Sequence, residues 1–182
     1  MPERTYHTAA VIVPPASVWP PIQALRQRHD RHVRRWMPHI TLLYPFRSYT
    51  QFPDLIPALE AACAPLAPFT LTLDQFDMFI HGTRSATLWL APRPTEPLHA
   101  LHDALVRVVP DCDDTARRAS GFMPHLSIGQ ARGAAAEELR RTLEAKWQPL
   151  QFTVDAVSLL WRRDPPDDVF RVGARLSLSG NR

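Results

Sequence analysis

The feature that most restricts the fold of this chain is a seven-residue segment that occurs twice. Residues 36–42 read Trp-Met-Pro-His-Ile-Thr-Leu, and residues 122–128 read Phe-Met-Pro-His-Leu-Ser-Ile. The copies lie 86 residues apart and agree in residue character at every position. Chance does not account for such a match in a chain of 182 residues, so the repeat predicts two similar lobes, each built around one copy.

Both copies are predicted to be strands, whose side chains point alternately to opposite faces. His39 and Thr41 therefore share one face of the first strand, and His125 and Ser127 share one face of the second. If the lobes meet, these four side chains face one cleft. Two imidazoles can serve as general base and general acid near neutral pH. Two hydroxyls can donate hydrogen bonds to phosphate oxygens, so the repeat points to phosphoryl-transfer chemistry.

The rest of the chain predicts an α+β fold, in which helices alternate with mostly hairpin-linked strands. Apolar alternation predicts strands at 6–13, 39–44, 69–80, 86–91, 125–129, 151–161 and 170–176. Helical spacing predicts helices at 17–29, 57–64, 98–108 and 135–147, the first of them capped by Ser17. The alternation changes phase near residues 74–75, which predicts a β-bulge there, and changes again near Ala156.

Composition excludes several classes of protein. With 45% hydrophobic and 21% charged residues, the chain is typical of soluble globular proteins and unlike disordered or fibrous ones. No apolar run approaches the roughly 20 residues of a membrane helix, and the N-terminus does not read as a secretory signal. Cys63 and Cys112 lack a CxxC partner, which argues against a disulfide framework or a structural zinc. We expect a cytoplasmic protein that does not act at a membrane.

Charged and histidine residues also allow a metal site. His29 with His32, and His99 with His102, have a spacing that can place two imidazoles on one helix face. Neither pair has a recognisable third ligand, and the acidic stretch at 111–114 lacks the Gly and Glu of a calcium loop. We therefore predict no metal and no cofactor, with a metalloprotein kept as the alternative. The net charge of +3 is attributed mainly to Arg-rich coding bias, since 20 of the 21 basic residues are Arg.

The duplicated His-x-[Thr/Ser]-hydrophobic motif resembles that of the two-histidine phosphoesterase superfamily. Residues 38–46, Pro-His-Ile-Thr-Leu-Leu-Tyr-Pro-Phe, are also similar to bacterial members of the 2′-5′ RNA ligase or cyclic nucleotide phosphodiesterase type. The resemblance extends over residues 1–182 and implies a single two-lobed domain. It implies a bilobal, duplicated α+β fold, with two antiparallel sheets facing a central groove and helices on the outside.

The resemblance further implies a metal-independent phosphodiesterase of RNA-type or nucleotide phosphodiesters. The expected substrates are 2′,3′-cyclic phosphate ends, opened to 2′-phosphates, or 2′-5′ linkages. His39 and His125 would be the acid and base, and Thr41 and Ser127 would bind the phosphate. In hydrolysis we expect His125 to activate water and His39 to protonate the departing ribose oxygen, with the roles reversed in ligation. A noncatalytic RNA-binding module on the same fold is the alternative function.

Further residues near the motifs are candidates for substrate binding. Tyr44 and Phe46 follow the first motif and could stack on a nucleobase at the rim of the groove. Arg47 and Arg162 lie at strand ends, where a second phosphate or the nucleotide backbone could pass. The expected partner is an RNA end or a nucleotide phosphodiester, and the protein is expected to be a monomer.

Overall fold

A computed structural model describes residues 3–115 and 118–181. Its strands are β1 Arg4–Thr5, β2 Thr8–Ile12, β3 Ile40–Leu43, β4 Phe46–Arg47, β5 Phe69–His81, β6 Ser85–Arg93, β7 Leu126–Arg132, β8 Leu150–Val154, β9 Ala156–Trp161 and β10 Arg171–Ser177. Its helices are α1 Trp19–His29, α2 Phe52–Cys63, α3 Glu96–Val108 and α4 Gly133–Glu144. Within the described residues, no helix is long and apolar enough to cross a membrane.

The strands form two four-stranded antiparallel sheets and a small ribbon. The first sheet has the order β10-β9-β2-β3, the second has the order β7-β6-β5-β8, and β1 pairs with β4. The motif strands β3 and β7 are each an edge strand of their sheet, and they contact one another. Helices α1 and α4 pack against the second sheet, while α2 packs against β10 and α3. The predicted α+β class, with antiparallel sheets on two sides of a groove, is confirmed.

The aliphatic residues of both motif copies are buried, as the alternation predicts. Ile40 and Leu42 of β3 are 0% and 2% exposed, and Leu126 and Ile128 of β7 are both 0% exposed. All four belong to one apolar core that is continuous through both sheets. Burial of these side chains stabilises the strands and leaves the opposite face of each strand to the histidine and hydroxyl residues.

Two predicted strand features have different outcomes. The β-bulge near residues 74–75 is confirmed, because the pairing of β5 with β6 changes register between Leu73 and Gln75. The predicted strand at 151–161 is wrong as a single element. It is two strands, of which β8 pairs with β5 in the second sheet and β9 pairs with β2 in the first. A phase change near Ala156 is visible in the sequence, but a local pattern cannot show that the chain crosses between sheets.

The helix starts also differ from the predictions. Ser17 does not cap α1, because it lies in a 3-10 turn at Ala16–Val18 and the helix begins only at Trp19. Helix α2 begins at Phe52, so Pro57 lies inside the helix and does not start it. Proline favours the first turn of a helix, which is why the sequence pattern placed the start too late. All four predicted helices are otherwise present.

A close contact joins α1 to the motif strand of the other lobe. At Gly129 of β7, a Cβ atom would lie 2.4 Å from the Cβ of His29, so only glycine allows this approach. Beside it, Asp30 is 8% exposed and forms an ion pair with Arg26, which is 2% exposed, at 2.9 Å. Asp30 also accepts a hydrogen bond from the Gln130 side chain at 3.4 Å. A buried ion pair thus lies at the junction of the lobes.

We predict that Arg26→Gln lowers the free energy of unfolding by about 3–5 kcal/mol, because it leaves the Asp30 carboxylate buried without its cation. The matched control is Arg175→Gln, which removes an exposed ion pair with Asp155 and should cost about 0–1 kcal/mol. Urea unfolding of both variants measures the difference. Equal losses in the two variants would contradict a structural role for the buried pair.

Candidate active site

The two histidines are held in the same way. His39 Nδ1 lies 2.8 Å from the carbonyl oxygen of Met37, and His125 Nδ1 lies 2.7 Å from the carbonyl oxygen of Met123. A carbonyl oxygen can only accept a hydrogen bond, so Nδ1 carries the proton in both rings. Each neutral imidazole therefore keeps its Nε2 lone pair available. This arrangement orients both rings and leaves one nitrogen of each for proton transfer.

The structure brings the predicted motif residues together. Thr41, His125 and Ser127 line one groove of about 350 Å³. His39 lies two residues before Thr41 and is partly exposed, and a proton on His125 lowers the pKa of His39. Thr41 and Ser127 are also partly exposed, so both hydroxyls are accessible. Two imidazoles and two hydroxyl donors can act together on a phosphate bound here.

His39 is enclosed by aromatic rings. Trp36 stacks on the imidazole with ring centroids 4.4 Å apart and planes 18° apart, and Phe170 stacks on Trp36 at 3.7 Å. Burial lowers the pKa of His39 to about 4, against the opposing effect of the Met37 carbonyl. The Arg26 charge lowers this pKa further. His39 is therefore neutral at pH 7 in the free protein.

His125 has a different aromatic environment. The rings of Phe79 and His125 are perpendicular, with centroids 4.8 Å and planes 89° apart, and the Trp89 ring lies 5.8 Å away. Burial again lowers the pKa, the Met123 carbonyl opposes the shift, and the Arg118 charge adds to it. Both histidines thus favour the neutral form, although different residues enclose them.

The aromatic residues that begin the two motif copies do not play equivalent parts. Trp36 stacks on its own motif histidine, whereas Phe122 stacks on His102 of α3, with centroids 4.2 Å and planes 8° apart. The two copies of the segment therefore support their histidines differently. Only in the first copy does the leading aromatic residue stack on the motif histidine.

We predict that Trp36→Leu raises the pKa of His39 from about 4 towards 6.5, because loss of the ring admits water and relieves the desolvation of the charged form. The matched control Phe122→Leu should leave the pKa of His39 unchanged, since Phe122 stacks on His102. NMR titration of the imidazole resonances measures both. An unchanged or lower pKa for His39 in Trp36→Leu would contradict the assigned cause. The pKa is also set by Arg26, Asp30 and His125, which are unaltered in both variants.

Of the aromatic candidates for substrate binding, one lies at the groove and one does not. Tyr44 lines the groove, and its hydroxyl donates to the Tyr6 carbonyl oxygen at 3.2 Å. Phe46 is 0% exposed and packs edge-on against Phe52 at 6.1 Å. The expectation that Phe46 stacks on a nucleobase is therefore corrected. Its strand pairs with β1 and directs the ring into the core.

Arg47 is corrected in the same way. It is 5% exposed and forms an ion pair with Asp111, whose pKa it lowers. Arg4 of the neighbouring strand pairs with Asp114 at 2.6 Å. The two arginines of the β1–β4 ribbon thus hold the acidic stretch at 111–114. Arg47 positions a wall of the groove and does not reach into it as a substrate ligand.

The second sheet supplies groove residues that sequence reasoning missed. Phe79, His81 and Thr87 of the β5–β6 hairpin and Arg118 line the groove. His81 Nε2 lies 2.9 Å from the Thr87 hydroxyl. Pairing of Phe79 with Thr87 across the hairpin places them side by side. The alternation of β5 and β6 is visible in the sequence, but no local signal tells which face meets the groove.

The alternative of a metal site has no ligand set in the described part of the chain, where no group of three or more His, Cys, Asp or Glu residues could hold an ion. His32 follows the end of α1 at His29, so this pair does not share one helix face. His99 and His102 both lie on α3 and both contact Phe122. Cys63 and Cys112 are buried free cysteines, and burial raises the pKa of each thiol to about 11.

Comparison with known proteins identifies relatives that are similar in sequence over most of the chain. A protein of Geobacillus kaustophilus, provisionally named a phosphoesterase, is 27% identical over 154 residues, covering 84% of this chain and 86% of the relative. A Geobacillus thermodenitrificans protein with the same name is 25% identical over 156 residues, covering 82% and 87%.

Solved structures share the fold at low sequence identity. Escherichia coli LigT complexed with 3′-AMP has a TM-score of 0.66 and 19% identity, covering 98% of this chain and 99% of that one. Protein TT0787 of Thermus thermophilus has a TM-score of 0.64 and 21% identity, covering 96% and 99%. The sequence profile of the 2′-5′ RNA ligase superfamily matches residues 14–166. Since this match covers most of the chain, the protein belongs to the 2′-5′ RNA ligase superfamily of two-histidine phosphoesterases.

Proposed function

We propose that this protein is a metal-independent phosphodiesterase that opens 2′,3′-cyclic phosphate ends of RNA-type substrates to 2′-phosphates. The observation that carries the proposal is the matched pair of imidazoles. Each is anchored through Nδ1 to a main-chain carbonyl; His125 lines the groove with Thr41 and Ser127, and His39 lies two residues before Thr41. Membership of the superfamily supports a phosphoesterase, and the groove chemistry supports paired acid–base catalysis.

The proposed reaction is a displacement at phosphorus. Water attacks the phosphorus while Nε2 of neutral His125 accepts one proton from it. The bond from phosphorus to O3′ breaks, and protonated His39 donates its Nε2 proton to the departing O3′, so that the phosphate stays on O2′. Attack by a 5′-hydroxyl in place of water would form a 2′-5′ linkage by the same proton transfers, so for this reaction we revise the sequence-based expectation that the roles are reversed in ligation.

Thr41 and Ser127 would stabilise the charge that develops on the non-bridging phosphate oxygens. Their hydroxyls can donate hydrogen bonds that strengthen as the oxygens become more negative. Burial lowers the pKa of His39 in the free protein, and the negative charge of a bound phosphate would favour the protonated imidazole that the proposed acid requires. Among the known structures, E. coli LigT has been solved with phosphate and with 3′-AMP, which supports a phosphate-bearing nucleotide as the ligand class.

We predict that kcat/KM is greatest below pH 6.5 and falls towards higher pH. The reaction needs one histidine neutral and the other protonated, and kcat/KM reports the free enzyme. Burial lowers the pKa of His39 to about 4 and also lowers that of His125, so the singly protonated pair is most populated on the acid side of pH 6.5. The plot of kcat/KM against pH should be bell-shaped, and its two apparent pKa values belong to the coupled pair of histidines. Steady-state rates on a cyclic nucleotide test this, and a plateau that extends beyond about pH 8 would contradict it.

We predict that His39→Ala and His125→Ala each lower kcat by roughly 10²- to 10⁴-fold, the range expected for loss of a general acid or base. The double variant should lose much less than the product of the two, because both residues act in one step. Thr41→Val and Ser127→Ala should each cost about 1.5–3 kcal/mol of transition-state stabilisation, the value of a hydrogen bond to a charged group.

The matched control is His99→Ala, which removes an exposed imidazole of α3 outside the groove and should leave kcat unchanged. Assays in EDTA on a panel of 2′,3′-cyclic nucleotides, ADP-ribose cyclic phosphate and 2′-5′-linked oligonucleotides identify the substrate and exclude trace metal. Circular dichroism confirms that the variants are folded. Near-full activity in either His→Ala variant would contradict the proposed mechanism. Tight RNA binding without turnover would favour the noncatalytic module.

A further inference from the structure

An exposed aromatic residue lies next to the groove on its His39 side. Tyr6 is in the turn between β1 and β2, and 60% of it is exposed. Its ring meets Tyr44 edge-to-face at 5.4 Å, and the Tyr44 hydroxyl donates to the Tyr6 carbonyl. Because Tyr44 lines the groove, Tyr6 continues that wall outwards onto the surface. The mechanism makes no use of Tyr6.

Arg162 lies beside this pair. Its main-chain N–H donates to the His7 carbonyl at 2.8 Å, which places it next to the Tyr6 turn. The Arg162 guanidinium carbon lies 5.5 Å from the centroid of Phe170, and the Arg162 charge lowers the pKa of Tyr44 against the larger effect of burial. We define Tyr6, Tyr44 and Arg162 as the Tyr6 rim.

The charge of Arg162 is not neutralised by a carboxylate of the described residues. Its Nη1 donates to the carbonyl of Arg163, and its Nε is buried without a hydrogen-bond partner among those residues. The arginines around it are different, because Arg163 and Arg171 pair with Asp167 at 3.5 Å and 2.5 Å. Arg162 is therefore a guanidinium that can still bind an anion.

An exposed ring and an unneutralised guanidinium are the two elements with which proteins bind a single nucleic-acid strand, the ring for a base and the cation for a phosphate. A cyclic mononucleotide has only one phosphate, which the two histidines and two hydroxyls would hold. A second base and a second phosphate require additional contacts outside the catalytic groove. The Tyr6 rim offers both kinds of contact at the edge of the groove.

We propose that the Tyr6 rim binds the nucleotide adjacent to the reacting end of an RNA strand, with Tyr6 stacking on its base and Arg162 contacting its phosphate. The inference rests on the proposed function and extends it, since it makes an oligonucleotide the preferred substrate over a cyclic mononucleotide.

We predict that the wild-type protein has a higher kcat/KM for a trinucleotide with a 2′,3′-cyclic end than for the matching cyclic mononucleotide. Tyr6→Ala should lower kcat/KM for the trinucleotide by about 5- to 100-fold, the range of base–aromatic stacking, with a change of less than about 2-fold for the mononucleotide. Arg162→Gln should have the same selective effect. It should also reduce the salt dependence of trinucleotide binding by about one phosphate contact.

Two matched controls remove the same residue types nearby. Arg163→Gln removes a neighbouring arginine that already pairs with Asp167. Tyr49→Ala removes a tyrosine that is 46% exposed but stacks on Trp161 at 4.6 Å outside the groove. Neither should alter the preference for the trinucleotide. A selective loss in Tyr49→Ala but not in Tyr6→Ala would overturn the proposal, because the strand would then follow another path.

The outcomes separate this inference from the proposed function. If both substrates turn over but Tyr6→Ala affects them equally or not at all, the Tyr6 rim is wrong and the phosphodiesterase stands. If neither substrate turns over, the phosphodiesterase proposal fails. In that case, fluorescence anisotropy of a labelled trinucleotide tests the Tyr6 rim independently of turnover. Weaker binding to Tyr6→Ala and Arg162→Gln would support the rim, and unchanged binding would contradict it.

Discussion

The close packing of α1 against β7 determines how the two halves of the groove face one another. Helix α1 follows β2 of the first sheet but packs on the second. The absence of a side chain at Gly129 of β7 allows the backbone of His29, the last residue of α1, to lie directly against this strand. The Arg26–Asp30 ion pair, buried beside this contact, is linked through Gln130 to the strand that carries Ser127. Because interiors are close-packed, such a junction resists sliding and holds the edge strands β3 and β7 beside one another.

A duplicated sequence has here produced two histidines of unequal environment. The main-chain anchors are alike, since each Nδ1 donates to a carbonyl two residues earlier. The aromatic surroundings are not alike, because Trp36 stacks on His39, whereas the ring of Phe79 is perpendicular to that of His125. An acid and a base in one reaction benefit from such a difference, as unequal surroundings can set unequal pKa values. The repeat thus supplies the pair, and the residues packed around it distinguish its members.

Arginine residues of similar appearance have distinct parts in this protein. Arg47 forms an ion pair with Asp111 that holds the wall of the groove, and Arg26 forms the ion pair with Asp30 at the junction of the lobes. Arg162 lies on an aromatic ring without a carboxylate partner among the described residues. Ligand binding needs a charge that the fold has not already neutralised. The distribution of aspartates therefore determines which arginines can meet a phosphate.

The sequence by itself determined the motif strands, the α+β class, the bulge near residue 74 and the four polar motif residues, because all of these follow from local periodicity and from an internal repeat. It could not determine that β8 and β9 belong to different sheets, that Phe46 is buried, or that Arg47 meets Asp111. Those features depend on contacts between residues distant along the chain. Tertiary structure alone also decided that Tyr6, Tyr44 and Arg162 meet beside the groove. A strand's alternation defines two faces, but only packing decides which face is covered and what lies opposite it.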